Sequence, residues 1–407
     1  MRRCHKTKLK SGGNAVKRTL AALGLTLVIA IGLAASGRAA EPYDIHVILP
    51  LTGNGAFLGQ GHRDSLDTLA EIVNKSGGID GRQLRFIYHD DQSNPQVSVQ
   101  LATGIIAQKP AVILGSSLVA MCAAIAPLMQ NGPVDYCLSP AYHPPAGGFV
   151  FSSGASSLDQ SAAILRYFRM KGWTKIATLA NTDASGQSND KSMDELVARP
   201  ENKDISLVTR QHFNPSDISV AAQIERIRAS GAQAIIAGVT GTAAATVFKA
   251  MVQAGLDIPI EVTSGNESFP QMEAWKDFLP KGLLMSSAAF PEHDGLLTLD
   301  PRIEAAQHAM YAALAARKLK ADNMEGTSWD AALIVVAALR KLGPSATAEQ
   351  IRQFIANLTD FAGIDGIYDF KAHPDRGLGP DSAIAVRYDA KAKAWVWLTR
   401  PGGAPLE

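Results

Sequence analysis

Three short stretches bring together residue types that bind or react. The first is Gly53-x-Gly55-x-x-x-Gly59, which follows an apolar run and opens a helical period, while Asp90 and Asp91 end a second apolar run. This approaches the glycine fingerprint that cradles a dinucleotide, whose third glycine packs helix on strand and whose later acid takes the ribose. Here the glycine spacing is one residue too long, and Phe57 and Leu58 enlarge the turn, so no nucleotide cofactor is expected. The second stretch is Ser116-Ser117, ahead of a helix starting near Ala120. Hydroxyls and free backbone N–H groups there suit a carboxylate, and the same serines suit a plain helix cap. The third is Ser139-Pro140-Ala141-Tyr142-His143, which places His143 at the mouth of a sheet, where ligands bind in open α/β folds.

Further along, Asp183 and Ser185, Thr240, and Asn266 with its neighbour Glu267 all follow strand-like runs. Nucleophilic and metal chemistry find no support. There is no Gly-x-Ser-x-Gly elbow, and His46, His62, His89, His143, His212, His293, His308 and His373 are scattered without the spacing of a helical metal site. The chain is therefore expected not to be an enzyme and to need no cofactor.

The elements that must position these residues alternate regularly. Apolar Ile45 to Leu51, the helical spacing of Leu66, Leu69, Ala70 and Val73, and alternating Leu84 to His89 begin a βα rhythm that runs to Val134–Leu138. The rhythm restarts with helix Leu158 to Lys171 and strand Lys175 to Ala180 and continues to strand Ile260 to Thr263. Repeated βα units imply parallel sheets covered by helices. A loop, Pro291 to Asp300, precedes helices Arg302 to Leu319, Thr327 to Leu342 and Ala348 to Leu358. Antiparallel strand signals at Gly366 to Phe370, Ile384 to Asp389 and Trp395 to Leu398 close the chain. Three helices between the second sheet and these last strands suggest that the chain returns to the first unit before finishing on the second.

With 407 residues, 46% apolar and 19% charged, the chain is long enough for two domains with sizeable cores. Positions 1–39 carry basic residues, no acid, the apolar stretch Thr19 to Ser36 and small residues up to Ala39, the order of a cleaved secretory signal. Removing them leaves 31 basic against 38 acidic side chains, a net charge of −7, which gives no electrostatic footprint for nucleic acid. Cys122 and Cys137 remain after cleavage. One lies at a helix start and the other on the next strand, so they are placed either to pair in an oxidising compartment or to stay as buried thiols.

Several of these stretches, in this order, resemble the branched-chain amino acid type of periplasmic binding protein. They are Leu51 to Gly59, the turn Asn74-Lys75-Ser76-Gly77-Gly78-Ile79-Asp80-Gly81, Tyr88 to Pro95, Leu138-Ser139-Pro140-Ala141 and Phe361 to Phe370. The resemblance runs from about Ile45 to the C-terminus. It implies a type I fold, two doubly wound parallel-sheet lobes joined by three crossover segments. The lobes are taken as 40–153 with 291–360, and 154–290 with 361–407. It also implies a monomeric, periplasmic solute-binding subunit that closes on a small molecule and presents it to ABC permease subunits. A ligand sensor of the same fold, or less readily a secreted enzyme, is the alternative.

On this resemblance Phe57 and Leu58 join the cleft rim. The contact set becomes Phe57, Leu58, Ser116, Ser117, Ser139, Ala141, Tyr142, His143, Asp183, Ser185, Thr240, Asn266 and Glu267. The family usually has an acid where Asn266 falls, to pair a ligand ammonium, and an aromatic near Ser185. Glu267 stands one residue away. Without a securely placed acid, a small or aromatic carboxylate is expected ahead of an amino acid, because an unpaired buried ammonium is costly.

Overall fold

In the computed structural model, residues 1–2, 40–288 and 298–406 are described. The signal segment with its boundary near Ala39, and most of the loop Pro291 to Asp300, lie outside them. In chain order the elements begin β1 Tyr43–Leu49, α1 Ala56–Lys75, β2 Leu84–Asp90, α2 Pro95–Ile106, β3 Val112–Gly115, α3 Val119–Ile125, β4 Val134–Cys137 and β5 Val150–Ser152. Then come α4 Ser157–Met170, β6 Lys175–Asn181, α5 Ala184–Val197, β7 Ser206–Phe213, α6 Ala221–Ala229, β8 Ala234–Gly238, α7 Thr242–Ala254, β9 Ile260–Val262, α8 Phe269–Trp275 and β10 Leu283–Ala288. The chain finishes with α9 Pro301–Ala316, α10 Asn323–Leu342, α11 Ala348–Ala356, β11 Phe361–Ala362, β12 Ile367–Tyr368, β13 Ala383–Asp389 and β14 Ala394–Trp397.

Among the described residues these strands form two large sheets. The first, in the order β2-β1-β3-β4-β5, is parallel throughout. The second runs β14-β13-β10-β9-β8-β6-β7, with β13 and β14 antiparallel at one side. The α/β class with mainly parallel sheets thus holds. β5 and β10 were absent from the sequence expectation. Both are buried along their whole length, so they lack the polar alternation that marks a half-exposed strand.

Burial explains how the chain divides. Ile45, Val47 and Leu49 of β1 share a core with Met310 and Leu314 of α9, Ile334 and Val335 of α10, and Ile351 and Ile355 of α11. The last three long helices therefore cover the first sheet. The second sheet has a core on each face, one around Phe248, Val262 and Met285 and the other around Ile164, Phe168, Ile236 and Leu284. Ile364, Tyr368, Phe370 and Leu378 pack in the first core, with the Phe370 ring edge-on to Phe151 at 5.6 Å. The chain then joins the second sheet at β13.

Local chemistry sets the ends of the elements that carry the cleft. Asn94 caps α2 by accepting from the Gln96 and Val97 N–H groups, and Ser156 caps α4 by accepting from Asp159 N–H at 3.0 Å. Asp322 and Glu325 form a capping box at the start of α10. Gly115 has φ +141°, and a Cβ there would lie 2.4 Å from the Ile48 carbonyl oxygen, so only glycine lets β3 pack on β1 and turn toward Ser116. A disulfide joins Cys122 of α3 to Cys137 of β4, with Cα atoms 5.9 Å apart.

Candidate functional site

A cleft opens between the ends of the two sheets. From the first-sheet side it is lined by Leu58, His62, Ser117, Ser139, Ala141 and, at the start of α10, Asn323, Met324 and Thr327. From the second-sheet side come Gln160 of α4, Ser185, Ser188, Asn189 and Ser192 of α5, Thr240, Glu261, Thr263 to Gly265, and Ser286. The lining is dominated by hydroxyls and small side chains, and among the described residues that line it none is Lys or Arg. The two sides meet at the rim. Ser188 Oγ donates to the Ala141 carbonyl at 3.5 Å, and a Cβ on Gly241 would lie 3.0 Å from Phe57 Cε1.

The first side is held rigidly. Asp90 accepts from the N–H groups of Leu51, Thr52 and Gln92 and from the Thr52 hydroxyl, fixing the glycine-rich loop ahead of α1. Asp91 accepts from Ser93 N–H and from the Ser116 hydroxyl at 2.5 Å. The acid pair that imitated a ribose-binding site is thus spent on loop anchoring. Ser117 Oγ and His62 Nδ1 share a hydrogen bond of 2.8 Å, and burial lowers the His62 pKa to about 3, so the ring is neutral.

Arg376, only 2% exposed, organises the Ser139 to His143 loop. Its guanidinium donates to the carbonyls of Pro140, Gly154 and Tyr142 and to His143 Nδ1 at 3.1 Å, and it pairs with Asp375 at 3.0 Å. His143 Nε2 in turn lies 3.3 Å from Ser157 Oγ. Burial, and then the Arg376 charge, lower the His143 pKa. His143 belongs to this scaffold and does not line the cleft.

On the second side, Asn266 acts as a strut. Its Nδ2 donates to the Val239 carbonyl at 2.8 Å, and its Oδ1 accepts from Gly241 N–H at 2.8 Å. Thr240 and Thr263 share a hydroxyl contact of 2.9 Å in the same loop pair. Asp183 caps α5 by accepting from Ser185 and Gly186 N–H groups, which sets Ser185 at the cleft. Glu267 is fully buried and does not line the cleft; burial raises its pKa well above the carboxylate range, and Asn323 N–H donates to its main-chain carbonyl.

The structure therefore brings Leu58, Ser117, Ser139, Ala141, Ser185 and Thr240 to the lining. Phe57 sits at the rim against Gly241. Ser116, Tyr142, His143, Asp183, Asn266 and Glu267 act behind the lining, as anchors, caps and struts. Ser116 and Ser117 do not cap α3 either, since Leu118 is its N-cap residue and makes no side-chain bond.

The residue that sequence reasoning missed is Glu261. It lies in the middle of β9, while Ile260 and Val262 point into the opposite core. Ser286 Oγ donates to its Oε1 at 2.9 Å, and burial raises its pKa to about 7. The one signal was an acid inside the apolar run Ile258-Pro259-Ile260-Glu261-Val262. Its presence places an acid in the cleft lining that the ligand-class expectation did not include.

Two sheets with loops converging on one cleft define a two-lobed α/β binding protein. The periplasmic binding protein profile matches residues 42–392, and the chain belongs to that family. Over 262 residues it is 23% identical to the Leu/Ile/Val-binding protein homolog 3 of Brucella melitensis, covering 62% of this chain and 70% of that one. An extracellular ligand-binding receptor from Rhodopseudomonas palustris superposes with a TM-score of 0.77 at 21% identity, covering 88% and 99% of the two chains. The branched-chain amino acid transporter substrate-binding protein LivJ from Streptococcus pneumoniae, solved with isoleucine, superposes with a TM-score of 0.73 at 16% identity, covering 88% and 99%. This protein is accordingly a periplasmic binding protein, and the relatives it resembles are substrate-binding proteins rather than enzymes.

Proposed function

We propose that the protein is the extracytoplasmic substrate-binding subunit of an ABC importer, capturing one small organic solute, an amino acid or a small carboxylate, by closure of its lobes. The observation that carries this reading is the cleft itself, lined from both lobes by hydroxyls, with Glu261 the one acid among the described residues of the lining. Such a surface fixes the orientation of a polar ligand through a few hydrogen bonds while the lobes remove it from water. Hydroxyls at Ser117 and Ser139 suit a carboxylate from the first lobe. Of the relatives named above, one is described as a Leu/Ile/Val-binding protein homolog and another was solved with isoleucine, which supports the size and polarity of the ligand. The basic, apolar leader and the family support export with removal of residues 1–39.

The test is a thermal-shift screen of amino acids, aromatic acids, short carboxylates and amides, followed by calorimetry on each compound that raises the Tm. At least one compound is expected to bind at one site per chain, and Ser139→Ala is expected to weaken it about tenfold. A panel without any binder would sink the reading.

A further inference from the structure

Glu261, Ser286 and Gln160 form a chain of three polar groups on the second lobe's side of the cleft, and all three line it. The Gln160 side chain is oriented by its own amide, because Nε2 donates to the Ala155 carbonyl at 2.8 Å. Its Oε1 is thereby turned toward Ser286 Oγ, 3.2 Å away, while Glu261 Oε1 lies 2.9 Å from the same hydroxyl. A serine hydroxyl carries one proton. It satisfies either Gln160 Oε1 or Glu261 Oε1, and the other contact needs a proton on Glu261. Two acceptor oxygens, Gln160 Oε1 and Glu261 Oε1, thus stand around one hydroxyl proton, and a neutral Glu261 donating to Ser286 completes the chain.

The described partners of Glu261 are uncharged. Ile236 of β8 and Leu284 of β10 are its cross-strand partners, Ser286 reaches it with its hydroxyl and its backbone, Gln160 shares that hydroxyl, and Asn189 and Ser192 of α5 line the same cleft. Among the described residues that line the cleft no Lys or Arg compensates a charge there, which agrees with a carboxyl pKa raised to about 7.

We infer that Glu261, Ser286 and Gln160 form a proton-linked specificity subsite that takes an N–H donor of the solute, an ammonium or an amide nitrogen. This rests on the solute-binding reading above and deepens it, by placing the selective group within strand β9 rather than on the loops beyond the strands. An ammonium entering the subsite pairs with ionised Glu261, whose proton leaves to solvent, and Ser286 then serves either acceptor. An amide nitrogen is accepted with Glu261 in either state. A solute with only a carboxylate finds no donor array here and is repelled once Glu261 ionises.

The experiment uses the mature protein and sets of matched carbon skeleton: leucine, isocaproamide and isocaproate, and phenylalanine, phenylacetamide and phenylacetate. Affinities are measured by calorimetry at pH 6 and pH 8 in wild type, Glu261→Gln and Ser286→Ala, with melting curves confirming that each variant folds. In at least one set the N–H-bearing members are expected to bind at least tenfold more tightly than their carboxylate at pH 8. An ammonium ligand should tighten about tenfold from pH 6 to pH 8, following the ionised fraction of a carboxyl group titrating near 7, whereas an amide should change little. Glu261→Gln should weaken the ammonium ligand at least tenfold and flatten its pH dependence, and Ser286→Ala should weaken it less. Equal affinity in wild type and Glu261→Gln, or binding of carboxylates alone, overturns the inference while leaving the solute-binding reading intact. If no member of the panel binds, both fall together.

Discussion

The two sides of the cleft are built for different jobs. On the first-lobe side, every polar group near the lining is either neutral across the working pH range or committed to an anchor. His62 is neutral against Ser117, Asp91 holds Ser116, Arg376 holds the Ser139 to His143 loop, and a disulfide ties α3 to β4. On the second-lobe side, the loops are braced by Asn266 and the two threonines, yet the lining keeps one group that titrates near neutral pH, Glu261. A rigid, proton-insensitive half faces a half whose charge depends on pH. Preorganisation lowers the entropy lost on binding, while an adjustable charge sets which solutes are accepted.

The largest expected effect tests the rigid half. Arg376→Leu leaves the carbonyls of Pro140, Gly154 and Tyr142 and the Asp375 carboxylate without their donor, and is expected to cost about 3–5 kcal/mol of stability. Urea denaturation measures this, and a cost below 1 kcal/mol would show that the loop does not depend on Arg376. Next is the disulfide. Its cysteines are 15 positions apart, so replacing both by serine should cost about 3 kcal/mol on the chain-entropy account. Thiol labelling of the denatured, unreduced wild type should find no reactive cysteine in the mature chain, and two reactive thiols would remove the anchor from the account.

The titrating half is sharpened by pH. Glu261 in the folded protein titrates near 7, above the 4.5 of an ordinary glutamate, so between these values the folded state holds a proton that the unfolded state lacks. Stability from this group is therefore full below about 4.5 and falls as pH rises through 7, by on the order of 3 kcal/mol. Glu261→Gln cannot ionise. The empty variant should exceed wild type in stability at pH 8 by about 1–3 kcal/mol and lose that advantage at pH 5, as followed by urea denaturation at both values. An unchanged difference between the two pH values would place the titration elsewhere. The smallest effect concerns the α5 start. Asp183→Ala removes the acceptor for the Ser185 and Gly186 N–H groups and should cost about 1 kcal/mol with the fold unchanged, and a loss above 3 kcal/mol would mean that Asp183 does more than cap.

Much of the fold was legible because βα units announce themselves. Apolar strands and 3.6-residue helical spacing alternate from Ile45 to Thr263, and the antiparallel signals at Ile384 and Trp395 correspond to β13 and β14. Strands β5 and β10 were hidden, since total burial erases the alternation that sequence patterns detect. Within the site, some of the side chains singled out from the sequence line the cleft and others stand behind it. Asn266 and His143 stand where ligand contacts belong in the chain order, yet each spends its polar atoms on a neighbouring backbone or side chain. Glu261 escaped for the opposite reason. An acid inside a buried strand makes sense only once Ser286 and Gln160, 25 and 101 positions away in the chain, are seen beside it.

The central claim is that one small solute lies between the lobes, held from both sides. A crystal structure of the mature protein with the tightest binder from the screen tests it most directly. The account expects ligand density in contact with Ser117 or Ser139 on one side and with the Glu261 subsite on the other. Density outside the cleft, or touching residues of only one lobe, would contradict it.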